Sequence, residues 1–202
     1  YTVAEVDMTD LVNYRSKIKQ RFSQDHGFNI TYTHFILHAT VQALKAFPLM
    51  NSSVEGDKII QRKFINLGVA VALDSGLIVP VIKNADERNL LGLARTAHDL
   101  AQRGQKKKLM PEDVQGGTFT VTNPGVFGNI FGLPIINQPQ VGILGVGAIK
   151  KRPVVINDAI AIRSVMYLSL SYDHRIIDGA VAAQFVQEIR NGLENFDTEQ
   201  SL

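Results

Sequence analysis

No cysteine and no tryptophan occur in the 202 residues. The missing cysteines together exclude a disulfide scaffold, a zinc–thiolate site, an iron–sulfur cluster and a cysteine nucleophile. They suit a reducing compartment without requiring one. Excess charge of one sign is also missing: 21 Lys and Arg against 19 Asp and Glu leave a formal net charge of +2. A duplex-binding surface needs a clustered basic excess, and the one basic run, Lys106-Lys107-Lys108, is short. No nucleic-acid partner is expected. Long apolar runs are absent too, since the greasiest stretch, Leu67 to Ile82, is cut by Asp74 and Ser75. A spanning helix needs roughly 18 to 20 apolar residues, so no membrane partner is expected. The chain opens on Tyr1 with no basic stretch leading into an apolar one, so it shows no targeting signal and reads as part of a longer polypeptide.

What is present suffices for one sizeable core: 45% of the residues are apolar, and a chain of this size buries about 70% of its unfolded surface. No internal repeat or linker divides it, so residues 1–202 are expected to form a single domain. Tyr1 to Met8 alternates like a strand, and Thr9 or Asp10 is a natural N-cap for a helix from Leu11 to Gly27. Thr33 is expected to cap a second helix that stops at Pro48. Ile59 to Gln61, Phe64 to Leu73 and Leu77 to Lys83 read as strands, the last two joined by an Asp74-Ser75-Gly76 turn. Helical spacing returns from Leu90 to about Lys108, followed by a turn at Pro111 to Val114. Thr118 to Thr122 is strand-like and runs into the turn signal Asn123-Pro124-Gly125-Val126-Phe127-Gly128. Val141 to Ile149 and Val165 to Ser171 are two further strands, and Ala180 to Leu193 is the last helix. Strands come in runs between separated helices, which favours an α/β fold with a mixed sheet and helices packed on it over a doubly wound parallel one.

Of the five histidines, His34 and His38 stand four apart on one helix, a spacing open to metal binding. No Glu lies between them and no third ligand is near in sequence, which favours an ordinary helix-face pair and no metal. His26 and His98 read as solvated. His174 differs, because it follows an apolar strand and precedes the last helix in Ser171-Tyr172-Asp173-His174-Arg175-Ile176-Ile177-Asp178-Gly179. An imidazole with an ordinary pKa near 6.5, held there on a rigid scaffold, can serve as a general base. Spacing leaves this reading open beside a structural one in which His174 is bonded to Asp173 or Asp178. Gly142, Gly145 and Gly147 do not form a dinucleotide-binding fingerprint.

His174-Arg175-Ile176-Ile177-Asp178-Gly179 resembles the H-R-x-x-D-G signature of the dihydrolipoamide acyltransferases, the E2 components of 2-oxo acid dehydrogenase complexes. The resemblance extends to Gly117-Thr118-Phe119-Thr120-Val121-Thr122-Asn123, Pro134-Ile135-Ile136-Asn137 and Gln140-Val141-Gly142-Ile143-Leu144-Gly145. It also covers Gly68 to Asp74 with Gly76 to Ile82, so it takes in nearly the whole chain. It implies a chloramphenicol-acetyltransferase-like two-layer sandwich and an acyltransferase moving an acyl group between the dihydrolipoyl group of a separate lipoyl domain and coenzyme A. His174 is then the base, Thr122 the oxyanion donor and Asp178 a residue orienting the histidine loop. Arg15 and Asp74 fall where family members line the CoA and lipoyl channel.

The family's arginine partner for Asp178 comes from a segment before the first strand, which this sequence lacks, as it lacks lipoyl and subunit-binding domains. The resemblance further implies a homotrimer, its active site shared between subunits, assembling into a core of 24 or 60 subunits. Such a core meets the E1 and E3 components through the absent domains, in a bacterial cytoplasm or a mitochondrial matrix. The run Thr122 to Gly128 stands closer to the succinyltransferases of the family than to its acetyl or branched-chain members. Two other readings stand beside transfer: an assembly core without activity in this shorter form, and a CoA thioesterase using water.

Overall fold

A computed structural model describes residues 1–73 and 76–198. The chain runs β1 (Thr2–Asp7), α1 (Thr9–His26), α2 (Tyr32–Ala46), β2 (Ser52–Glu55), β3 (Lys58–Gln61), β4 (Leu67–Val69), β5 (Val71–Leu73) and β6 (Gly76–Ile78). It continues through β7 (Val81–Ile82), α3 (Leu90–Gln105), β8 (Phe119–Thr122), β9 (Gly142–Val146), β10 (Lys150–Ile156), β11 (Ala159–Tyr172) and α4 (Gly179–Glu194). The main sheet has the order β1-β11-β9-β8-β4-β7, with β10 added to the first half of β11. It is mixed as expected: β8 lies parallel to β4 and β9, and the other pairings are antiparallel.

Alternation along β11 separates the two faces of the sheet. Met166, Leu168 and Leu170 enter the main core with Phe35, Phe119 and Phe185, under the helices. The ring of Phe185 on α4 meets Phe119 edge-on at 5.5 Å, joining helix layer to sheet. Tyr167 and Ser169 point the other way, where Phe131 meets the Tyr167 ring and the Ser169 hydroxyl donates to Gly132 O. Glycine is required where that covering segment crosses the sheet, because a Cβ on Gly147 would collide with the backbone oxygen of Ile130.

Several local expectations are corrected, mostly by contacts distant in sequence. Thr9 does not cap α1 through its side chain: its hydroxyl accepts from Ser164 N at 2.9 Å, 155 residues away, and its own N–H donates to the Asp7 carboxylate. Asp10 lies inside the helix, which ends, as read, on left-handed Gly27. The N-cap of the second helix is two residues earlier, at Thr31, and the Thr33 hydroxyl instead accepts from Asn123 Nδ2 at 3.1 Å. The two long strands of the central hairpin are each broken in two. β4 and β7 stay in the main sheet, while β5 and β6 peel off as a separate ribbon. Pro80 has no N–H for the ladder, and Ala70 N donates to Val121 O, which turns the chain away. β9 ends at Val146, before Ile149, and β2, β10 and the first half of β11 escape the sequence reading altogether.

Candidate active site

Threonines 118, 120 and 122 share one face of the strand segment around β8, and the structure spends their hydroxyls differently. Thr118 exchanges hydrogen bonds with the backbone of Asn66. Thr120 Oγ1 donates to Gln140 Oε1 at 2.7 Å. Thr122, at the strand end, has no hydrogen-bond partner for its hydroxyl among the described residues and opens into a cavity of about 500 Å³. The β5–β6 ribbon, α3, the start of α2 and the turn after β8 enclose this cavity, with Val71, Leu77, His98, His34 and Phe127 on its walls. A free hydroxyl in a largely apolar chamber is a donor waiting for an oxygen.

His174 sits in a loop clamped on both sides of it. Asp173 N donates to Val141 O, and the N–H groups of Ile176 and Ile177 close a turn on Asp173 O. The Arg175 guanidinium grips the Asp173 carboxylate, Nη2 to Oδ2 at 2.6 Å and Nε to Oδ1 at 2.9 Å. That hydrogen-bonded pairing holds the Asp173 carboxyl below its ordinary pKa. Ile177, fully buried, pins the far end. Neither bond of the structural reading of His174 is made among the described residues: the residue is exposed, and its ring centroid lies 5.6 Å from that of Tyr172. Asp178 is the N-cap of α4, its Oδ1 accepting from Val181 N at 2.8 Å.

The sheet register keeps the two groups apart. Tyr172 pairs with Gly142 at one end of β9, and Thr122 pairs with Gly145 toward the other. That is about 10 Å along the strands and about 10 Å across them, with His174 further out still. One chain cannot close a reaction centre between them.

Arg15 is half-buried, its Nε donating to Ile30 O at 2.8 Å and its guanidinium lying 4.9 Å over the Tyr32 ring. It braces α1 against the entry to α2 and is not among the residues lining the cavity. Asp74 lies outside the described residues.

His34 and His38 have separate partners, Thr31 N on Nδ1 of the first and Gln42 near Nε2 of the second. No cluster of three or more metal-ligating side chains occurs among the described residues. The reading of His26 and His98 as solvated is corrected: both are half-buried, His26 against Phe22 and His98 stacked on Phe28 at 4.8 Å. Sequence reasoning thus missed the two imidazoles of the cavity wall, His34 and His98. The available signal was position, since Thr31-Tyr32-Thr33-His34 has the spacing of a capping box with imidazole in place of Glu.

Burial first, then the neighbouring His98 and Arg15, lower the His34 pKa from 6.5 to about 4. The unfolded chain therefore binds this proton between pH 6.5 and 4 while the folded chain does not, so stability falls as pH drops through that window. The loss reaches up to about 3 kcal/mol at its lower end. Denaturant melts at pH 7 and pH 4.5 are expected to show it, and a His34→Gln protein to show a smaller loss.

The family described as 2-oxoacid dehydrogenases acyltransferase (catalytic domain) matches residues 1–199. The chain belongs to this family. Its lipoamide acyltransferase relative from the branched-chain alpha-keto acid dehydrogenase complex of Bacillus subtilis is 48% identical over the whole chain, and the succinyltransferase of the 2-oxoglutarate dehydrogenase complex of the same organism is 44% identical. The chain spans about half the length of these curated relatives, 48% of each. Among solved structures, a probable dihydrolipoamide acetyltransferase from Listeria monocytogenes is 46% identical with a TM-score of 0.96, covering all of this chain and 86% of that one. The cubic core of a pyruvate dehydrogenase multienzyme complex is 37% identical with a TM-score of 0.91, covering 96% of this chain and 80% of that one. Chloramphenicol acetyltransferase, 12% identical at a TM-score of 0.62, covers 95% of this chain and 86% of that one and shares the fold. The two-layer sandwich expected from the motifs is the fold of this acyltransferase domain.

Proposed function

We propose that this domain transfers an acyl group between the dihydrolipoyl group of a lipoyl domain and coenzyme A, at a site made by two copies of the chain. The observation that carries the proposal is the separation of an unpartnered imidazole and an unpartnered hydroxyl to opposite ends of one sheet. Each half is built and rigid, and neither is useful alone. His174 of one copy takes the proton from the attacking thiol. The thiolate adds to the thioester carbonyl, and the oxygen that becomes negative is held by the Thr122 hydroxyl of the neighbouring copy. Collapse expels the second thiol as thiolate, to which His174 returns the proton. Both sulfurs come with the substrates, which accommodates a chain without cysteine.

The shared site calls for a closed ring of copies, and a trimer, joined with others into a larger core like the cubic one of its pyruvate dehydrogenase relative, meets that need. Asp178 caps α4 in the single chain, and we assign it the further role of orienting the His174 loop in the assembly. Arg15 and Asp74 are assigned to the approaches of the CoA and lipoyl arms.

The test is complementation. A His174→Ala protein and a Thr122→Val protein, each strongly impaired, are unfolded together and refolded as mixed assemblies. Transfer from acyl-CoA to dihydrolipoamide is expected to return, because some interfaces pair a wild-type His174 with a wild-type Thr122. Mixed assemblies verified by native mass spectrometry that stay as impaired would overturn the shared site. Free acid released without a thiol acceptor would favour the thioesterase reading, and acetyl, succinyl and branched-chain donors run in parallel assign the acyl group.

A further inference from the structure

We infer that His34 is a substrate-binding residue: its imidazole donates a neutral hydrogen bond, inside the Thr122 cavity, to an amide carbonyl oxygen of the arm that carries the reacting thiol. This rests on the acyl-transfer reading and deepens it.

His34 is the third residue of α2, 6% exposed, and lines the same cavity as Thr122, Asn123 and His98. One ring nitrogen is committed: Nδ1 accepts from Thr31 N at 3.2 Å. An imidazole that accepts through Nδ1 carries its proton on Nε2 when neutral. That Nε2 has no hydrogen-bond partner among the described residues, yet it is not among the enclosed unpartnered atoms, which are Asn51 Oδ1, Ser52 Oγ and Ser171 Oγ. It is therefore an N–H without a protein partner that solvent can reach, on a residue that lines the cavity. Water can satisfy such a donor in the open cavity, and a ligand that displaces that water must offer an acceptor in its place.

The surroundings select the partner's chemistry. Burial first, then the neighbouring His98 and Arg15, lower the pKa of the ring and keep it neutral at physiological pH, so it offers no charge to a phosphate or carboxylate. Arg15, whose guanidinium acts on the ring electrostatically, is already held by Ile30 O and the Tyr32 face. The walls around it are largely apolar, with Val69, Val71, Leu77 and Val121. An uncharged donor in an apolar wall matches an uncharged acceptor. Amide carbonyls are what a thiol arm long enough to thread this cavity carries, whether the pantetheine arm of CoA or the lipoyl-lysine arm. A ring with one nitrogen engaged and so weakly basic is a poor metal ligand and a poor general base, which leaves donation as its use.

Two variants separate binding from helix capping. His34→Gln and His34→Glu both keep an acceptor at this capping position for Thr31 N, and only Gln presents a neutral N–H. His34→Leu removes acceptor and donor and controls for the charge of Glu. In transfer between acyl-CoA and dihydrolipoamide, and in the reverse direction with free CoA, the Glu and Leu proteins are expected to raise KM for one thiol about three- to tenfold, the worth of one neutral hydrogen bond. Their kcat stays within about twofold, and the Gln protein stays near wild type. A rise confined to CoA assigns the pantetheine amide, and one confined to dihydrolipoamide assigns the lipoyl amide.

Unchanged KM values in the Glu and Leu proteins, or a Gln protein as impaired as they are, would overturn the inference. Calorimetric titration of CoA and of dihydrolipoamide into the same assemblies needs no turnover. Should the wild type fail to catalyse transfer, the acyl-transfer reading falls, and weaker binding by Glu and Leu with retention by Gln still decides for His34, while equal binding by all four decides against it.

Discussion

A His174→Ala protein is expected to lose acyl transfer by about 10³- to 10⁴-fold, the upper range for removing a positioned base, while its fold and assembly stay intact. The intactness follows from the loop. Its shape is set by the Asp173–Arg175 pairing, by Asp173 N on Val141 O and by buried Ile177, none of which involves the imidazole. An exposed ring without a hydrogen bond contributes little to stability, so the thermal midpoint should move no more than for an ordinary surface change. Steady-state rates with acyl-CoA and dihydrolipoamide provide the measurement, with light scattering for the assembly. Near-normal turnover would refute the assigned base.

Thr122→Val should cost about 10²- to 10³-fold in kcat, the usual loss for one oxyanion donor, with KM little changed because the ground-state thioester leans less on that hydroxyl. Valine keeps the β-branched shape, and since the Thr122 hydroxyl has no partner among the described residues, nothing is orphaned by its removal. Stability is therefore expected to hold. Thr122→Ser, which restores the hydroxyl, should recover most of the rate. A Thr122→Val protein within threefold of wild type would assign the oxyanion to another donor.

Much of this protein was legible from local chemistry. The 3.6-residue spacing of α2, α3 and α4, the left-handed Gly27 stop and the turn at Pro124 depend on neighbours within a few residues, and all are found within about three residues of where they were read, α3 ending at Gln105 and not near Lys108. The caps of α1 and α2 did not follow the same logic, because Ser164 and Asn123 claimed the hydroxyls of Thr9 and Thr33 across 155 and 90 residues. A side chain read in isolation is available to its own helix, and one in the fold is shared with whatever packs against it.

By itself the sequence determined the family, the mixed α/β class and the residue types that thiol-to-thiol transfer needs, because motif identity, periodicity and composition are properties of the chain order. Only the tertiary structure decided where those residues stand. Strand pairing set His174 and Thr122 at opposite ends of one sheet, since register depends on partners far apart in the chain. Packing left the Thr122 hydroxyl open where Thr118 and Thr120 are bonded, and it turned His34 from a helix-face residue into a cavity wall with one free N–H. Free and satisfied polar groups look alike in a sequence, and burial with its partners tells them apart.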